Sequence, residues 1–306
     1  MVSVVIPVYN ESSLLDELVR RTVPAILAFC DDYELIFVDD GSSDNTVEKL
    51  LAYRADNKRI KVLTLSRNFG HQAAFTAGLE HARGDIIAML DGDLQDPPEL
   101  LADMYRMITR EGYDVVNGRK AGRKGSKPRN LYTFFFHVIF SHVSELETIS
   151  NAGNFSMMTR DALEALLSMK EKSRYLPGMR SYIGFRQGFI DFIRDERFDG
   201  EPKMSLNKLF VLAFDAIFSF SRFPIRLCLY LGAIGTAVFL LAGIWVLVAK
   251  ASGFASPGWS STLLSIYFLG SIQLVFLGII GEYLYRNYKE SQNRPVYFVR
   301  KYFNET

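Results

Sequence analysis

The stretch Leu90-Asp91-Gly92-Asp93-Leu94-Gln95-Asp96-Pro97-Pro98 decides how the first half of this chain is read. It directly follows the apolar run Ile86-Ile87-Ala88-Met89, so a short buried strand ends in two carboxylates one residue apart. In an open α/β sheet, ligands bind at the C-terminal edge of the strands. Two close carboxylates repel unless a cation lies between them, and a hard divalent metal carrying a diphosphate meets that need. An acidic surface turn closed by Pro97-Pro98 would use the same letters, so the remaining sequence has to discriminate.

Around that stretch, short apolar runs alternate with helical patterns. Strands are expected at Val2 to Val8, Tyr33 to Val38, Ile60 to Leu65, Ile86 to Leu90 and Tyr113 to Asn117. Helices are expected at Leu14 to Cys30, Asp44 to Ala55 with an Asp cap, His71 to Ala82, Pro98 to Glu111, Asn130 to His142, and Thr159 to Met169 with a Thr cap. Such alternation predicts an α/β fold, a mostly parallel sheet with helices on both faces. After the first strand a dinucleotide fold would need Gly-x-Gly-x-x-Gly; Pro7-Val8-Tyr9-Asn10-Glu11 stands there instead, which argues against nicotinamide chemistry. Asp39-Asp40-Gly41-Ser42 follows the second strand, and its carboxylates suit sugar hydroxyls or a base N–H better than phosphate.

Composition sets further bounds. A net charge of +1 over 306 residues carries no nucleic-acid footprint, and two distant cysteines, Cys30 and Cys228, form neither a disulfide framework nor a metal motif. The chain enters its first strand at once, so no signal peptide is expected. The second half differs in character. Leu227 to Ala249 and Thr262 to Gly281 contain no charged residue. The first of these, as a helix, would reach roughly 34 Å, against about 30 Å of bilayer hydrocarbon. With Ser252 to Ser261 between them they read as a two-helix transmembrane hairpin. Arginines and lysines gather before the first span (Arg222, Arg226) and after the second (Arg286, Lys289, Arg294, Arg300, Lys301), which puts both termini in the cytoplasm. Leu206 to Phe220 reads as an interfacial amphipathic helix. The expected domains are a cytoplasmic catalytic domain over 1–204, the interfacial helix over 205–224, the hairpin over 225–288 and a basic cytoplasmic tail over 289–306. The expected location is the inner membrane of the cell.

Four ordered motifs carry a resemblance that covers essentially the whole chain: Val5-Ile6-Pro7-Val8-Tyr9-Asn10-Glu11, Val38-Asp39-Asp40-Gly41-Ser42, Ser66-Arg67-Asn68-Phe69-Gly70 and Asp91-Gly92-Asp93-Leu94-Gln95-Asp96-Pro97. Together they resemble inverting nucleotide-sugar glycosyltransferases of the GT-A (Rossmann-like) fold. More narrowly they resemble the polyprenyl-phosphate branch, which includes dolichol-phosphate mannose synthase and the bacterial undecaprenyl-phosphate glucosyltransferases. The later Arg197-Phe198-Asp199-Gly200 with Lys203, and Gly281-Glu282-Tyr283 with Arg286, match the bacterial members.

The resemblance implies a transferase that moves a sugar from a nucleotide diphosphate, expected to be UDP with GDP-mannose as the alternative, to polyprenyl phosphate. It implies that Pro7, Tyr9, Glu11, Asp39, Asp40, Arg67 and Asp91 bind the nucleotide, and that Asp91, Asp93 and Gln95 hold Mg²⁺ or Mn²⁺. Asp93 and Arg119 would serve catalysis. Arg119, Lys120, Arg123, Lys124, Lys127 and Arg129 crowd one short loop. That loop reads as attraction to anionic lipid or, more sharply, as an acceptor site in which Lys124, Arg129 and Lys203 meet the lipid phosphate. Partners are then a nucleotide sugar, a polyprenyl phosphate lipid and a membrane, with room for a homo-oligomer. Several bacterial relatives carry Gly-Asp-Phe-Arg where this chain has Gly153-Asn154-Phe155-Ser156. Asn154 cannot act as a base, which favours an acceptor that needs none. A non-catalytic membrane scaffold is the rival of another class; the intact Asp91, Asp93 and Gln95 argue against it.

Overall fold

The computed structural model describes residues 1–120, 152–172, 174–192 and 258–304, with scattered positions between 230 and 252. The chain divides into two compact units: Met1–Asn130 with Leu146–Lys203 and Arg294–Thr306, and Leu131–Glu145 with Met204–Asn293.

The first unit alternates strand and helix as its sequence pattern requires. Its elements are β1 (Val2–Val8), α1 (Leu15–Leu27), β2 (Tyr33–Asp39), α2 (Thr46–Asp56), β3 (Ile60–Leu65), α3 (His71–His81) and β4 (Ile86–Met89), then α4 (Leu101–Glu111) behind a 3-10 turn at Pro98–Leu100. After these come β5 (Val115–Lys120), β6 (Ala152–Thr159), α5 (Arg160–Ser168), α6 (Leu176–Tyr182), β7 (Gln187–Phe192) and β8 (Val299–Phe303). One eight-stranded sheet results, in the order β7-β5-β6-β4-β1-β2-β3-β8.

Every residue of β1 and of β2 is buried, which is the signature of a strand covered on both faces. Alternate residues feed two cores. Val4, Ile6, Leu35 and Phe37 join Leu15, Leu18, Leu50, Leu101 and Met104 on one face. Val5, Ile36 and Val38 join Phe75, Leu79, Leu163 and Leu176 on the other. Helix α4 buries Leu101, Met104 and Ile108, spaced to share one face, and stops at Gly112, whose φ of 71° is the left-handed conformation glycine supplies at a helix end. Thr159 caps α5 as expected, accepting from the Ala162 N–H. Helix α2 differs from its reading: it begins at Thr46, and Asp44, expected as the cap, lies before it and accepts from the N–H groups of Thr46 and Ser12.

The sheet is mixed. β3-β2-β1-β4 is parallel, and β5 pairs parallel with β7. β6, however, runs antiparallel between β4 and β5, and β8 antiparallel beside β3. Chain entering the sheet from the edge where β4 ends has to run opposite to β4, and β6 does so. The segment 289–306, read as a basic tail, contributes β8, which closes the free edge of β3.

In the second unit the described helix is α7 (Trp259–Ser291), whose last third carries Glu282, Arg286, Lys289 and Glu290. Among the described residues no helix is long and apolar enough to cross a membrane, so the expected hairpin has no support from them. Most of Leu227 to Ala249, the whole of Asn130 to His142 and the stretch Leu206 to Phe220 lie outside the described residues.

Candidate active site

Four parallel strands end at one edge, and each hands over to a loop bearing polar side chains. Register fixes the heights: Val8 of β1 is level with Asp39 of β2, Asp39 with Thr64 of β3, and Val5 of β1 with Met89 of β4. Asp91-Gly92-Asp93 therefore leaves β4 beside the end of β1. A Cβ at Gly92 would stand 2.8 Å from the Pro7 carbonyl oxygen, so only glycine lets the turn lie this close. Leu94 takes a φ of 58° while 3% exposed. A buried leucine in the left-handed region is strained, and its core packing holds it there. The strain aims the turn: Asp93 Oδ1 accepts the Gln95 N–H at 3.2 Å, and Gln95 and Asp96 are buried behind it.

The loop after β2 is built around two carboxylates. Asp39 accepts the Ser42 N–H at 3.1 Å; burial pushes its pKa up in spite of that bond. Asp40 accepts the N–H groups of Phe69 and Gly70, at 2.7 and 2.9 Å, one on each oxygen. Burial raises its pKa too, against the pull of those two amides. This carboxylate, expected at the nucleotide, also ties the β2 loop to the Ser66–Gly70 loop. Gly41, at φ 76°, closes the same junction, where a Cβ would stand 2.7 Å from the Arg67 carbonyl carbon.

His71 opens α3 and faces the carboxylate turn. Its Nε2 lies 3.3 Å from Asp91 Oδ1, and the Phe75 ring packs edge-on against it with centroids 4.8 Å apart. Burial works against a charge on His71, but Asp91, then Asp93 and Asp40, outweigh it and raise its pKa above the usual imidazole value. Asn154, at the start of β6, places its Nδ2 3.3 Å from His71 Nδ1. Behind it Arg180 of α6 is fully buried. Its guanidinium donates to the Asn154 carbonyl at 2.8 Å, the Gly153 carbonyl at 2.5 Å and the Ser156 hydroxyl. Desolvation lowers its pKa to about 10, although Tyr175 and Asp91 favour its charge.

The other expected site residues spread more widely. Pro7 is buried within β1, and Tyr9 is 43% exposed at the strand's mouth. The backbone N–H of Glu11 donates to the Thr46 hydroxyl at 3.1 Å. Arg67 is exposed and lies over the Phe69 ring, 4.8 Å from its centroid. Arg119, expected to meet phosphate, directs its fork at Asp191 of β7, with Nε at 2.6 Å and Nη2 at 3.0 Å. Lys124, Arg129 and Lys203 lie outside the described residues.

Sequence reasoning passed over Asn10, His71 and Arg180. Asn10 adopts a φ of 53° and braces the β2 loop, its Oδ1 accepting the Ser43 N–H at 2.8 Å and its own N–H donating to Ser42 Oγ at 2.9 Å. Asn directly after a strand is the available signal, since it tolerates that conformation better than most residues. For His71 the signal is its place at the first turn after Ser66-Arg67-Asn68-Phe69-Gly70. Nothing local marks Arg180.

Asp91 and Asp93 supply hard oxygen atoms, which Mg²⁺ and Mn²⁺ favour. Among the described residues no group of three or more His, Cys, Asp or Glu is placed to hold a metal ion. The donor set therefore suits an ion completed by substrate phosphate and water, and it does not suit a protein-only cage.

Residues 3–167 match the model of the family described as "Glycosyl transferase family 2". An uncharacterized glycosyltransferase of Synechocystis sp. is 38% identical over 97% of this chain and 94% of its own length. A prophage bactoprenol glucosyl transferase homolog of Escherichia coli is 32% identical over 98% of each. Among solved structures, glucosyl-3-phosphoglycerate synthase from Mycobacterium tuberculosis, in complex with Mn²⁺, UDP and glucosyl-3-phosphoglycerate, is 20% identical, with a TM-score of 0.49 over 71% of this chain and 77% of that one. A parallel α/β edge bearing Asp91-Gly92-Asp93, a family match over more than half the chain and full-length relatives at this identity lead to one assignment: the chain belongs to glycosyl transferase family 2.

Proposed function

We propose that this protein transfers a hexose from a UDP-sugar to polyprenyl phosphate, with inversion at the anomeric carbon, at the cytoplasmic face of a cell membrane. The carrying observation is the Asp91-Gly92-Asp93 turn, held against the end of β1 at the edge where β2 and β3 also present their loops. The full-length relative named for bactoprenol glucosyl transfer supports the acceptor. The uncharged stretches at Leu227 to Ala249 and Thr262 to Gly281, with their basic flanks, support a membrane hairpin preceded by an interfacial helix.

In this reading Tyr9 and Glu11 frame the nucleoside at the mouth of β1, while Asp39 and Asp40 keep the adjoining loops in shape. Asp91 and Asp93, with Gln95, would hold Mg²⁺ or Mn²⁺, which neutralises the diphosphate and eases its departure. Arg67, exposed over the Phe69 ring, would meet residual phosphate charge. One oxygen of the lipid phosphate attacks the anomeric carbon as the bond to the diphosphate oxygen breaks on the opposite side, releasing UDP. Because a phosphate monoester has a second pKa near about 6, the nucleophile is ionised at neutral pH and needs no base. Asn154 in the site is compatible with that acceptor and unsuited to an alcohol. Arg119 would exchange Asp191 for acceptor phosphate, with Lys124, Arg129 and Lys203 supplying further cations.

The test offers the purified full chain a panel of UDP- and GDP-sugars with polyprenyl phosphate or polyprenol, with and without chelator. Transfer from a UDP-hexose to the phosphate alone, silenced by chelation, is expected. Equal transfer to the alcohol would overturn the acceptor, preference for GDP-mannose the donor, and full activity in chelator the metal.

A further inference from the structure

The Ser66–Gly70 loop, which carries Arg67, has its backbone pinned from two sides. From the β2 loop, Asp40 accepts the Phe69 and Gly70 amides, and a Cβ at Gly41 would meet the Arg67 carbonyl carbon at 2.7 Å. From the other side comes the segment leading into β8. There the Ser66 N–H donates to the Phe298 carbonyl at 2.9 Å, just beyond the Leu65–Val299 pair. The neighbouring Tyr297 is anchored separately: its hydroxyl donates to Glu80 of α3, and its ring packs with Phe69 on the core of that face. The Arg67 side chain is held far less firmly than its backbone. It is exposed, and among the described residues its guanidinium meets only the Phe69 ring, 4.8 Å from the centroid. Phe298 backs that ring, with centroids 6.1 Å apart and planes inclined at 50°.

We propose that Phe298 is a positioning residue for the nucleotide: its ring seats Phe69, and Phe69 in turn seats the Arg67 guanidinium at the mouth of the site. The seating follows from the ring contacts alone; that Arg67 meets diphosphate charge rests on the function proposed above. A free arginine side chain has many rotamers and loses that freedom when it binds a phosphate. A guanidinium already held over an aromatic face has given up part of it beforehand, so less is lost on binding. An aromatic pair such as Phe69–Phe298 shifts an equilibrium by about two- to tenfold. Phe298 is 55% exposed, so the core gains little from its ring, and burial is what makes a phenylalanine stabilising. The segment 294–303 then does more than close the edge of β3: it shapes the nucleotide side of the site from a part of the chain more than 200 residues away in sequence.

Two measurements on the full-length protein test this. In the first, NMR of protein labelled at its arginines reads the seating without any ligand, the Arg67 signal being assigned by its loss in Arg67→Lys. The Arg67 Nε–H proton should be shifted upfield by the Phe69 ring, lose much of that shift in Phe298→Ala and keep it in Phe298→Tyr, which preserves the ring. In the second, calorimetric affinity for UDP with Mn²⁺ should fall about two- to tenfold in Phe298→Ala and be kept in Phe298→Tyr. In an Arg67→Ala background the same Phe298→Ala change should cost less than about twofold, because a residue that acts through another has nothing left to act on. An Arg67 signal unmoved by Phe298→Ala would overturn the seating. A full further loss in the Arg67→Ala background would overturn the route through Arg67, and a moved signal with unchanged affinity would overturn its purpose. If the wild type binds no UDP, the proposed donor fails, and the Arg67 signal still decides the seating.

Discussion

Replacing Asp40 by asparagine separates a structural clamp from a base-reading residue. Asp40 is 4% exposed and gives one oxygen to each of two backbone amides, Phe69 at 2.7 Å and Gly70 at 2.9 Å. Asparagine keeps one acceptor and turns an NH₂ group toward the other amide. A charge-assisted bond worth about 1.5–3 kcal/mol is lost, and a buried N–H is orphaned at about 1–3 kcal/mol. Against this, the variant removes a carboxylate that burial already disfavours, so the net loss should be about 2–4 kcal/mol. The sign of the pH dependence is fixed as well. Because the folded pKa lies above the unfolded value of 3.8, wild-type Asp40 binds more protons folded than unfolded and gains stability as pH falls through the folded pKa. Asparagine lacks that gain, so the gap between wild type and Asp40→Asn should widen toward low pH. Hydrogen exchange reads the loop directly: Phe69 and Gly70 amides should exchange roughly 30- to 1000-fold faster, at 1.36 kcal/mol per decade. Rates within threefold of wild type would refute the clamp.

Three other substitutions address separate parts of the fold. Gly92→Ala brings a Cβ to 2.8 Å from the Pro7 carbonyl oxygen; it should cost about 1–3 kcal/mol and weaken Mn²⁺ with UDP by more than tenfold, and unchanged calorimetric affinity would contradict the close approach. Glu34 sits at the opposite edge of the sheet, accepting from Ser3, Lys61 and the Arg83 N–H. Glu34→Ala should therefore lose about 3–5 kcal/mol in urea unfolding while UDP binding below the transition is unchanged. Its partners outweigh burial and hold its pKa below 4.5, so its stabilisation is present above that value and lost as pH falls through the folded pKa; Glu34→Gln should flatten that acid limb. Asp191→Asn releases the Arg119 fork and should lower the apparent KM for polyprenyl phosphate, whereas Arg119→Ala should raise it severalfold; no change in either variant argues against Arg119 at the acceptor.

The parallel half of the sheet was legible because β1 to β4 are short apolar runs, each ended by Asp, Asn, Ser or Gly at the edge that carries the site. β6 was not. Ala152-Gly153-Asn154-Phe155-Ser156-Met157-Met158-Thr159 has few strand-favouring residues, and its neighbours β4 and β5 impose its conformation. β8 follows a helical stretch and carries Arg300 and Lys301, letters that suit a solvated tail equally well; its pairing with β3 is a long-range event. At the site, Asp91, Asp93 and Asp39 were named from local pattern. The Asp40 clamp, the Asn154–His71 contact and buried Arg180 depend on which loops meet across the sheet edge, and neither spacing nor charge encodes those meetings. Arg119 shows the converse. Its position at a strand end was foreseen, while its pairing with Asp191 follows from the unforeseen β7 lying parallel beside β5.

Sugar transfer at the Asp91–Asp93 turn is tested most directly by following label from UDP-[¹⁴C]glucose into lipid. Membranes containing the full-length protein, supplied with polyprenyl phosphate and Mg²⁺, should yield an organic-soluble product that mild acid cleaves to glucose, with one UDP released for each glucose transferred. Asp91→Asn/Asp93→Asn membranes with equal protein should yield none. UDP release without labelled lipid would contradict the acceptor, and equal labelling by the double variant would contradict the site.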